Sequence, residues 1–571
     1  MSNGRLSPAS RAAAMARLAR EEYDVLVIGG GVTGAGAALD AATRGLKVAL
    51  VEMRDYAAGT SSRSGKLIHG GLRYLEQLEL GLVRESLRER RLLFKRLAPH
   101  LLRPIRFLYP LRHRVWERAY LGAGLILYDT IGGAGAVPPH RHLSRAKALA
   151  LAPGLASESL VGAVTFYDTQ FDDSRHTLEL VRTAVAHGAD AASAVKVVGF
   201  DVADGRVRGV TVQDLESGGT FGIRARHVVN ATGVWTDRLH ALAGRRPRFS
   251  VKASKGVHIM VPKEKIPSAV SLFVRAEDSV LFVRSWGRHW LIGTTDTGWD
   301  GGLDHPAATS TDIDYLLRNV NAVLRVPIGR EDIDGVFAGL RPLIRGDAGT
   351  TSALSRSHAV ETFMPGLTTV TGGKYTTYRV MAADAIDAAV AGLGRAVPPS
   401  RTAHVPTVGA AGYREVRARR AALAASAGLP VERVERLLRR YGSLTEDLVD
   451  LIADRPELGR PIEGAPGYLM AEAVYAVTHE GALHIDDVLA RRTHISIEYR
   501  DRGVAAARAV APVIGAELGW DADRVAEEVD FYRARVEAEL AAQRLPDDES
   551  AEAVRNRIKD PRLRVADGER P

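Results

Sequence analysis

The chain has 571 residues, more than one hydrophobic core supports, so two or three domains are expected. Its 46% hydrophobic and 25% charged residues are ordinary for a globular protein, and the absence of cysteine excludes disulfides, cysteine-ligated iron–sulfur clusters and thiolate catalysis. The net charge of +9 favours an anionic partner such as a phosphate ligand, an acidic lipid surface or nucleic acid. A generally basic surface without a specific partner stays open.

The N-terminal segment is basic and lacks the apolar centre of a signal peptide, so we expect a frayed, weakly helical basic arm over residues 1–21. Its arginines are Arg5, Arg11, Arg17 and Arg20. The longest apolar stretch, residues 119–128, is too short to span a membrane.

Residues 23–52 predict a strand–helix–strand unit that binds a dinucleotide. An apolar run over 25–28, typical of a buried parallel strand, precedes Gly29, Gly31 and Gly34 at G-x-G-x-x-G spacing. A helix over 35–44 and a second strand over 47–51 follow, and that strand ends at Glu52. The glycine turn lets a pyrophosphate approach the backbone N–H groups at the helix start, and the Glu52 carboxylate is placed to bind a ribose hydroxyl.

Basic residues follow this unit in two places. Lys66, His69 and Arg73 lie in a predicted loop that enters a helix, where they would be aimed at an anion. Further along, arginines recur at helical spacing with leucines between them. They are Arg84, Arg88 and Arg91. This pattern fits either a solvated helix face or an amphipathic surface near anionic lipid headgroups.

The remainder of the chain predicts a β-rich insertion and then a helical domain. Strands over 196–201 and 207–214 are joined by Asp204-Gly205, a strong hairpin signal. Short strands between 257 and 296 indicate a second, β-rich domain, and an apolar strand ending at Gly372-Gly373 leads into a helix over 376–390, whose N-terminus could hold an anion. Residues 401–543 have helical periodicity, and 546–571 read as a charged, mobile tail.

Six sequence motifs follow one another along the chain: KLIHGGLRYLE (66–76), NATG (230–233) with Trp235, KGVHIMVP (255–262), IGTTD (292–296), GLRPL (339–343) and GGKYTTYR (372–379). They occur in the order found in the aerobic, FAD-dependent glycerol-3-phosphate dehydrogenases, and the chain resembles that family from about residue 24 to its helical C-terminal region.

The resemblance implies a mixed α/β (α+β) fold with a Rossmann-like FAD-binding domain, an antiparallel-sheet substrate domain as in amino-acid oxidases, and a helical C-terminal domain. The FAD-binding domain would be discontinuous within 22–398, over about 22–100, 172–245 and 355–398, with the substrate domain inserted at about 101–171 and 246–354. The C-terminal cap would cover 399–545 and precede the tail over 546–571.

The resemblance also implies a reaction and a location. Sn-glycerol 3-phosphate would be oxidised to dihydroxyacetone phosphate by hydride transfer from C2 to N5 of FAD, and the electrons would pass to a membrane quinone. The protein would be cytoplasmic and bound peripherally to the anionic inner face of the cell membrane. An oxygen-reducing oxidase and an amine-oxidising flavoenzyme of the same fold stay open, as do a homodimer and covalent attachment of FAD at His69. Nucleic-acid binding is disfavoured because no basic stretch is interleaved with aromatic residues.

The motifs carry over a set of site residues. FAD would contact Gly29, Gly31, Gly34, Glu52, Ser61, Ser62, Lys66, Leu67, His69, Val197, Gly373, Lys374 and Thr376. The substrate would contact Arg73, Tyr74, His258, Arg341, Arg356 and Lys374. Among these, His258, Arg341 and Lys374 are the predicted catalytic residues.

The chemistry supports these roles. Removal of hydride from C2 requires the hydroxyl proton to leave, and His258 has a suitable ordinary pKa for a general base, with Arg341 polarising the oxygen. An arginine or lysine that stabilises an alkoxide, and a purely structural core histidine, stay open. Lys374 would offset negative charge on the reduced flavin ring.

Two positions depart from the family pattern, and one apparent metal motif is set aside. Gly65 replaces a frequent serine, which removes a hydroxyl near the cofactor, and Val234 replaces a frequent proline. His479 and His484 are five residues apart, so they would not share a helix face as zinc-binding histidines four apart do. No metal site is expected.

Overall fold

The computed structural model describes residues 4–71, 79–113, 116–132, 137–158, 160–244, 249–276, 280–344 and 358–562. Their strands, in chain order, are β1 (Glu22–Ile28), β2 (Val48–Val51), β3 (Leu67–Ile68), β4 (Arg103–Leu111), β5 (Arg141–Ser144), β6 (Gly162–Gln170), β7 (Asp190–Ala192), β8 (Val195–Ala203), β9 (Arg206–Asp214), β10 (Thr220–Asn230), β11 (Val251–Pro262), β12 (Ser271–Arg275), β13 (Val280–Trp286), β14 (His289–Gly293), β15 (Thr297–Trp299), β16 (Gly335–Ile344), β17 (His358–Met364), β18 (Leu367–Gly372), β19 (Pro461–Ile462) and β20 (Ala465–Leu469).

The described α-helices are α1 (Pro8–Arg20), α2 (Val32–Thr43), α3 (Leu80–Leu92), α4 (Trp116–Gly132), α5 (Arg145–Leu151), α6 (Asp173–Ala186), α7 (Thr236–Leu242), α8 (Ser310–Asn321), α9 (Tyr378–Val390), α10 (Tyr413–Ala418), α11 (Arg420–Ser426), α12 (Val431–Tyr441), α13 (Thr445–Asp454), α14 (Met470–Thr478), α15 (Ile495–Glu498), α16 (Val504–Leu518), α17 (Ala522–Ala542) and α18 (Asp548–Arg555). Two π-helical segments (Leu93–Leu97 and Asp487–Thr493) extend α3 and precede α15.

The first sheet has the strand order β17-β18-β10-β1-β2-β7, and the strands from β18 to β7 are parallel. Helices α2, α6 and α9 cover one face, where Val25 and Val27 are buried. The other face buries Leu26 and Ile28 under α1 and the β8–β9 hairpin. Burial on both faces explains why β1 is apolar at consecutive positions. The predicted hairpin is confirmed, and its turn residues Asp204 and Gly205 both have positive φ.

The second sheet is largely antiparallel, with the order β15-β11-β14-β13-β12-β4-β6-β3, and β16 and β5 pair with β11 and β6. One face forms a core in which Val257, Ile259 and Val261 of β11 meet the apolar side of α8. Because side chains alternate along a strand, Gly256 and His258 lie on the opposite face. That face is turned toward the domain built on the first sheet.

The C-terminal helices enclose a core of their own and dock on the first sheet's domain through buried ion pairs. Arg175 of α6 contacts Glu480 with an Nη2–Oε1 distance of 2.5 Å, and Arg492 contacts Asp55 with an Nη1–Oδ2 distance of 2.7 Å. All four side chains are almost fully buried. Charges removed from water need a partner with good geometry, so these pairs fix how the two parts fit together.

The N-terminal arm is helical as expected, but the expectation that it is frayed is wrong for the described residues 4–20. Ser7 and Ser10 form a capping box at the start of α1, and Leu18 is fully buried. Arg11 binds Asp214, and Arg17 binds Asp190. The arginines that suggested a free basic arm are therefore partly used to dock this helix on the first sheet.

The expectation of a mobile tail is wrong for residues 546–562. Helix α18 packs on α17, its Asp548 binds Lys255 of β11, and its Arg555 is buried. Beyond the helix, Arg562 contacts Asp487 at 3.2 Å. These long-range ion pairs could not be recognised from a charged composition. The domain boundaries expected from the sequence stay predictions. No helix in the described ranges is long and apolar enough to cross a bilayer.

Candidate active site

A cavity of about 690 Å³ lies between the carboxyl ends of the parallel strands and one face of the second sheet. The residues after β1, β2, β10 and β18 line one wall, and β11, β13, β14 and β16 line the other. Ligands of open α/β sheets bind at the carboxyl ends of the strands, and the volume is within the usual range for a ligand pocket.

Gly29 and Gly31 lie in a tight turn between β1 and α2, and Gly34 lies in the first turn of α2. Gly29 has φ +110°, and an added Cβ there would lie 2.7 Å from the carbonyl oxygen of Ala231. An added Cβ on Gly34 would lie 1.9 Å from the carbonyl oxygen of Gly29. The N–H of Gly31, which lines the cavity, has no acceptor within the described residues. This helix start therefore fits the pyrophosphate of FAD.

Glu52, Ser61 and Val197 line the cavity beside this turn. The Glu52 carboxylate accepts hydrogen bonds from the N–H groups of Gly30 at 2.7 Å and Arg54 at 2.9 Å, and burial raises its pKa. Ser61 Oγ accepts a hydrogen bond from the Val32 N–H at 2.9 Å. Both side chains thus hold the cradle in place, and the remaining lone pairs of Glu52 suit a ribose hydroxyl.

The predicted cofactor residues in the loop after β2 form two groups: those that line the cavity and those that do not. Leu67 and His69 line the cavity, whereas Ser62 and Lys66 do not. The Lys66 ammonium is fully buried and donates to Asp173 Oδ1 at 2.5 Å and to the Ser62 carbonyl at 3.1 Å. The positive charge of Lys66 is therefore paired with a carboxylate inside the protein. Gly34 is also absent from the lining, because it packs beneath the turn.

A second glycine turn brings the residues after β18 to the same cavity. Gly373 has φ +74°, and Lys374 and Thr376 follow it at the start of a short 3₁₀ turn that continues into α9. All three line the cavity. The Lys374 Nζ lies 3.2 Å from Ser86 Oγ. This cation is placed at the cavity wall opposite the second sheet.

His258 lies on β11 and is closely packed by its neighbours in the second sheet. It is 3% exposed, stacks on Phe337 with ring centroids 4.8 Å apart, and its ring occupies the space left by Gly293 on the neighbouring strand. Desolvation, followed by the positive charges of Arg284, Arg341 and Lys66, lowers its pKa well below the ordinary value. The lowered pKa keeps His258 neutral near pH 7, so a ring nitrogen has a lone pair for a proton, but it also makes this imidazole a weaker base than the ordinary one expected from the sequence.

Arg341 lies on the same sheet face, and Gly256 provides the space for its guanidinium. Its Nη1 contacts Asp296 at 3.2 Å and its Nη2 contacts Thr294 Oγ1 at 3.1 Å. The charge of Arg341 is thus partly offset by a carboxylate in this structure. The other predicted substrate residues, Arg73, Tyr74 and Arg356, lie outside the described residues.

Two residues of the site were not predicted from the sequence. Asp173, at the first position of α6, holds Lys66 and the Ser64 side chain. Arg284 lies on β13, is 1% exposed and lines the cavity. In the sequence, Asp173 belongs to an acidic pair at a helix start, and Arg284 is a charged residue within an apolar strand. Neither pattern by itself indicates a cavity.

The histidines of the apparent metal motif have separate partners. His479 stacks on Tyr475, whereas His484 lies between Glu216 and Glu528, which raise its pKa. Within the described part of the chain, no group of three or more suitable side chains is arranged to hold a metal ion.

Comparison with known proteins identifies the family. A family model described as FAD dependent oxidoreductase matches residues 24–379, and one described as the C-terminal domain of alpha-glycerophosphate oxidase matches residues 400–525. The glycerol-3-phosphate dehydrogenase of Mycobacterium leprae is 55% identical over 560 residues, covering 98% of this chain and 96% of that protein. The human mitochondrial glycerol-3-phosphate dehydrogenase is 35% identical over 549 residues, covering 92% of this chain and 75% of that protein.

A solved structure supports the same assignment. The X-ray structure of the glycerol-3-phosphate dehydrogenase from Bacillus halodurans, complexed with FAD, is 30% identical and has a TM-score of 0.76. The match covers 94% of this chain and 97% of that chain. The expected fold class and the FAD cofactor are therefore confirmed. The chain belongs to the family of FAD-dependent glycerol-3-phosphate dehydrogenases.

Proposed function

We propose that this protein oxidises sn-glycerol 3-phosphate to dihydroxyacetone phosphate and passes the electrons to a membrane quinone. The observation that carries the proposal is the arrangement of His258 and Arg341 on one sheet face, across a cavity from a glycine cradle for FAD. A neutral base and cations on one side of a nucleotide site suit the oxidation of an anionic alcohol.

His258 is the general base in this proposal. As a neutral imidazole it takes the C2 hydroxyl proton, so that the carbonyl forms as the hydride leaves. FAD, when bound, supplies the N5 position that accepts the hydride. Phe337 and Gly293 hold the imidazole ring in one orientation, which keeps the proton acceptor directed at the substrate.

Arg341 and Lys374 supply positive charge. Arg341 polarises the C2 oxygen and helps to hold the substrate, and the bidentate geometry of a guanidinium suits an oxyanion. Lys374, on the opposite wall, offsets negative charge as electrons arrive. We also keep Arg73, Tyr74 and Arg356 as substrate residues by motif.

Anaerobic stopped flow tests the reaction and its electron acceptor. Glycerol 3-phosphate should bleach the flavin absorbance of the holoenzyme, and a soluble quinone should then restore it faster than oxygen does. Faster reoxidation by oxygen would identify an oxidase. If an amine bleaches the flavin and glycerol 3-phosphate does not, the substrate assignment is wrong.

We further propose that the membrane surface is formed by α3 and α4, which pack on each other. Arg84, Arg88 and Arg91 are exposed on α3, whereas its apolar Val83 and Leu87 are buried against Tyr128 of α4. The apolar residues between the arginines therefore cannot enter a bilayer. Exposed apolar side chains come instead from α4. These are Trp116, Ile126 and Leu127, with exposed fractions of 55%, 59% and 41%.

Vesicle sedimentation tests this surface. Replacing Arg84, Arg88 and Arg91 by glutamine should weaken binding to anionic vesicles at low salt by roughly a hundredfold, since each basic residue contributes about 1 kcal/mol near such a surface. A matched control removes three arginines of the C-terminal domain: Arg414, Arg417 and Arg419. If the control weakens binding and the α3 variant does not, the membrane face lies on the C-terminal domain.

A further inference from the structure

Arg284 is a buried arginine whose guanidinium has no carboxylate partner in the described residues. It lies on β13 between Val283 and Ser285, is 1% exposed and lines the cavity. Its Nε and Nη2 atoms are buried and have no hydrogen-bond partner among the residues that the structure describes. A buried polar group without a partner is unfavourable, and a buried charge more so, unless a ligand completes the site.

The guanidinium is directed to the part of the cavity where His258 lies. An ideal Cβ built on Gly65 would be 3.2 Å from Arg284 Nη1 and 3.8 Å from His258 Nε2. Both side chains therefore reach the same small region beside the Gly65 backbone. The glycine that departs from the family pattern leaves the space that Arg284 occupies.

The surrounding charges leave this region positive. Asp173 is the carboxylate that acts on Arg284, yet its oxygens are held by the Lys66 ammonium at 2.5 Å and the Ser64 hydroxyl at 2.7 Å. Burial consequently lowers the pKa of Arg284 to about 9, which still leaves it charged at neutral pH. Lys66 and Arg284 thus share one carboxylate, and among the described residues no second carboxylate forms an ion pair with either cation.

Arg341 provides a contrast on the same sheet face. Its guanidinium contacts Asp296, Ser254 and Thr294, so protein groups already engage several of its donors. Arg284 has no such contacts in the described residues and is the more deeply buried of the two. An apolar side chain would fill the same volume without the cost of a buried charge. An anionic ligand explains why an arginine is used.

We propose that Arg284 is a further substrate-binding residue, which pairs with the phosphate dianion of the substrate beside His258. This inference rests on the proposed function, because it assigns the phosphate of the same substrate to this guanidinium. Arg284 therefore adds to phosphate recognition a contact that the motifs do not supply.

The test uses purified, FAD-loaded enzyme and inorganic phosphate as the probe. Phosphate binding is followed by the perturbation of the flavin absorbance and by competition with glycerol 3-phosphate. Arg284→Met should weaken phosphate binding at least tenfold and raise KM by a similar factor, with a smaller change in kcat. Arg284→Lys should retain part of the affinity. Arg238→Met is the matched control, because Arg238 lines the cavity but is 54% exposed and binds Asp304.

The inference fails if phosphate binding does not depend on Arg284, or if Arg284 acts on the flavin ring instead. Phosphate affinity within threefold of wild type in FAD-loaded Arg284→Met would show that the guanidinium does not bind this anion. A large loss of sulfite affinity at the flavin with unchanged phosphate affinity would assign Arg284 to the flavin ring instead. If Arg284→Met does not retain FAD, Arg284→Gln carries the test, because it keeps a polar side chain but removes the charge. Phosphate binding should weaken at least tenfold in this variant, and an unchanged affinity would refute the inference.

The wild-type enzyme separates this inference from the proposed function. If glycerol 3-phosphate reduces the wild type but Arg284 variants bind phosphate normally, only the inference fails. If the wild type binds phosphate in an Arg284-dependent manner but is not reduced by glycerol 3-phosphate, the anion site stands and the proposed reaction fails.

Discussion

Replacing Gly293 by alanine should disable the proposed base without emptying the cofactor site. Gly293 lies directly opposite His258 on the neighbouring antiparallel strand, and an added Cβ would be 2.2 Å from His258 Cδ2. Ordinary van der Waals contact begins near 3.4 Å, so the imidazole ring has to retreat by about 1.2 Å. Phe337 stacks on the ring at an interplanar angle of 13° and restricts the directions in which it can move.

The size of the effect follows from this displacement. Overpacking of a well-packed region costs about 1–3 kcal/mol, so we expect Gly293→Ala to fold with reduced stability. A misplacement of about 1 Å in a reacting group costs roughly a hundredfold in rate, so flavin reduction by glycerol 3-phosphate should slow by about that factor. FAD should remain bound, because Gly293 lies on β14 of the second sheet and not in the glycine turn after β1.

The assay is anaerobic stopped-flow reduction, normalised to the FAD content of each preparation. Gly222→Ala is a matched control, because Gly222 also lies in a strand and an added Cβ would meet nothing within 4 Å. A reduction rate in FAD-loaded Gly293→Ala within threefold of wild type would refute the role of His258, since its ring would have moved without consequence.

Three further predictions concern the buried groups. Lys66→Met should lower the free energy of unfolding by about 3–5 kcal/mol, because its partner Asp173 stays buried without a counter-ion. The control Lys265→Met removes a surface ion pair and should leave the denaturation midpoint nearly unchanged. Equal midpoints for the two variants would contradict this prediction. The pKa of His258 is lowered, so the limiting reduction rate at saturating glycerol 3-phosphate should stay constant as pH falls through 6.5 and decline only well below it. An acidic limb of that limiting rate at or above 6.5 would contradict the neutral-base assignment. Leu18→Ala should lower the free energy of unfolding, measured by urea denaturation, by about 2–5 kcal/mol if α1 is docked on the sheet. Leu242→Ala is the control, because the Leu242 side chain is half-exposed. If the two variants have the same stability, docking of α1 does not contribute to stability.

The parts of the fold that could be predicted are those encoded locally. The glycine spacing after an apolar strand predicted the β1–α2–β2 unit, although α2 begins at Val32 rather than at residue 35 because it starts immediately after the turn. The dipeptide Asp204-Gly205 predicted the β8–β9 hairpin, since both residues tolerate a positive φ. In these cases a few neighbouring residues determine the backbone.

Features that depend on distant partners could not be predicted. Helix α1 is held by carboxylates about 170–200 positions away, so its arginines resembled a solvated arm. The fit of His258 against Gly293 exists only through the register of β11 with β14. Arg284 gave no signal because one charged residue in an apolar strand resembles a residue at a sheet edge. The family resemblance supplied candidate site residues, but not the ion pair that engages Lys66.

The buried pairs Asp55–Arg492 and Arg175–Glu480 have a consequence for protein engineering. Each couples the nucleotide-binding half to a residue encoded more than 300 positions later. Excising residues 24–379 as a separate flavin module would therefore strip Asp55 and Arg175 of their counter-ions. During synthesis, Asp55 and Arg175 have no counter-ion until the last quarter of the polypeptide has been made. The nucleotide-binding half therefore completes its structure only near chain release.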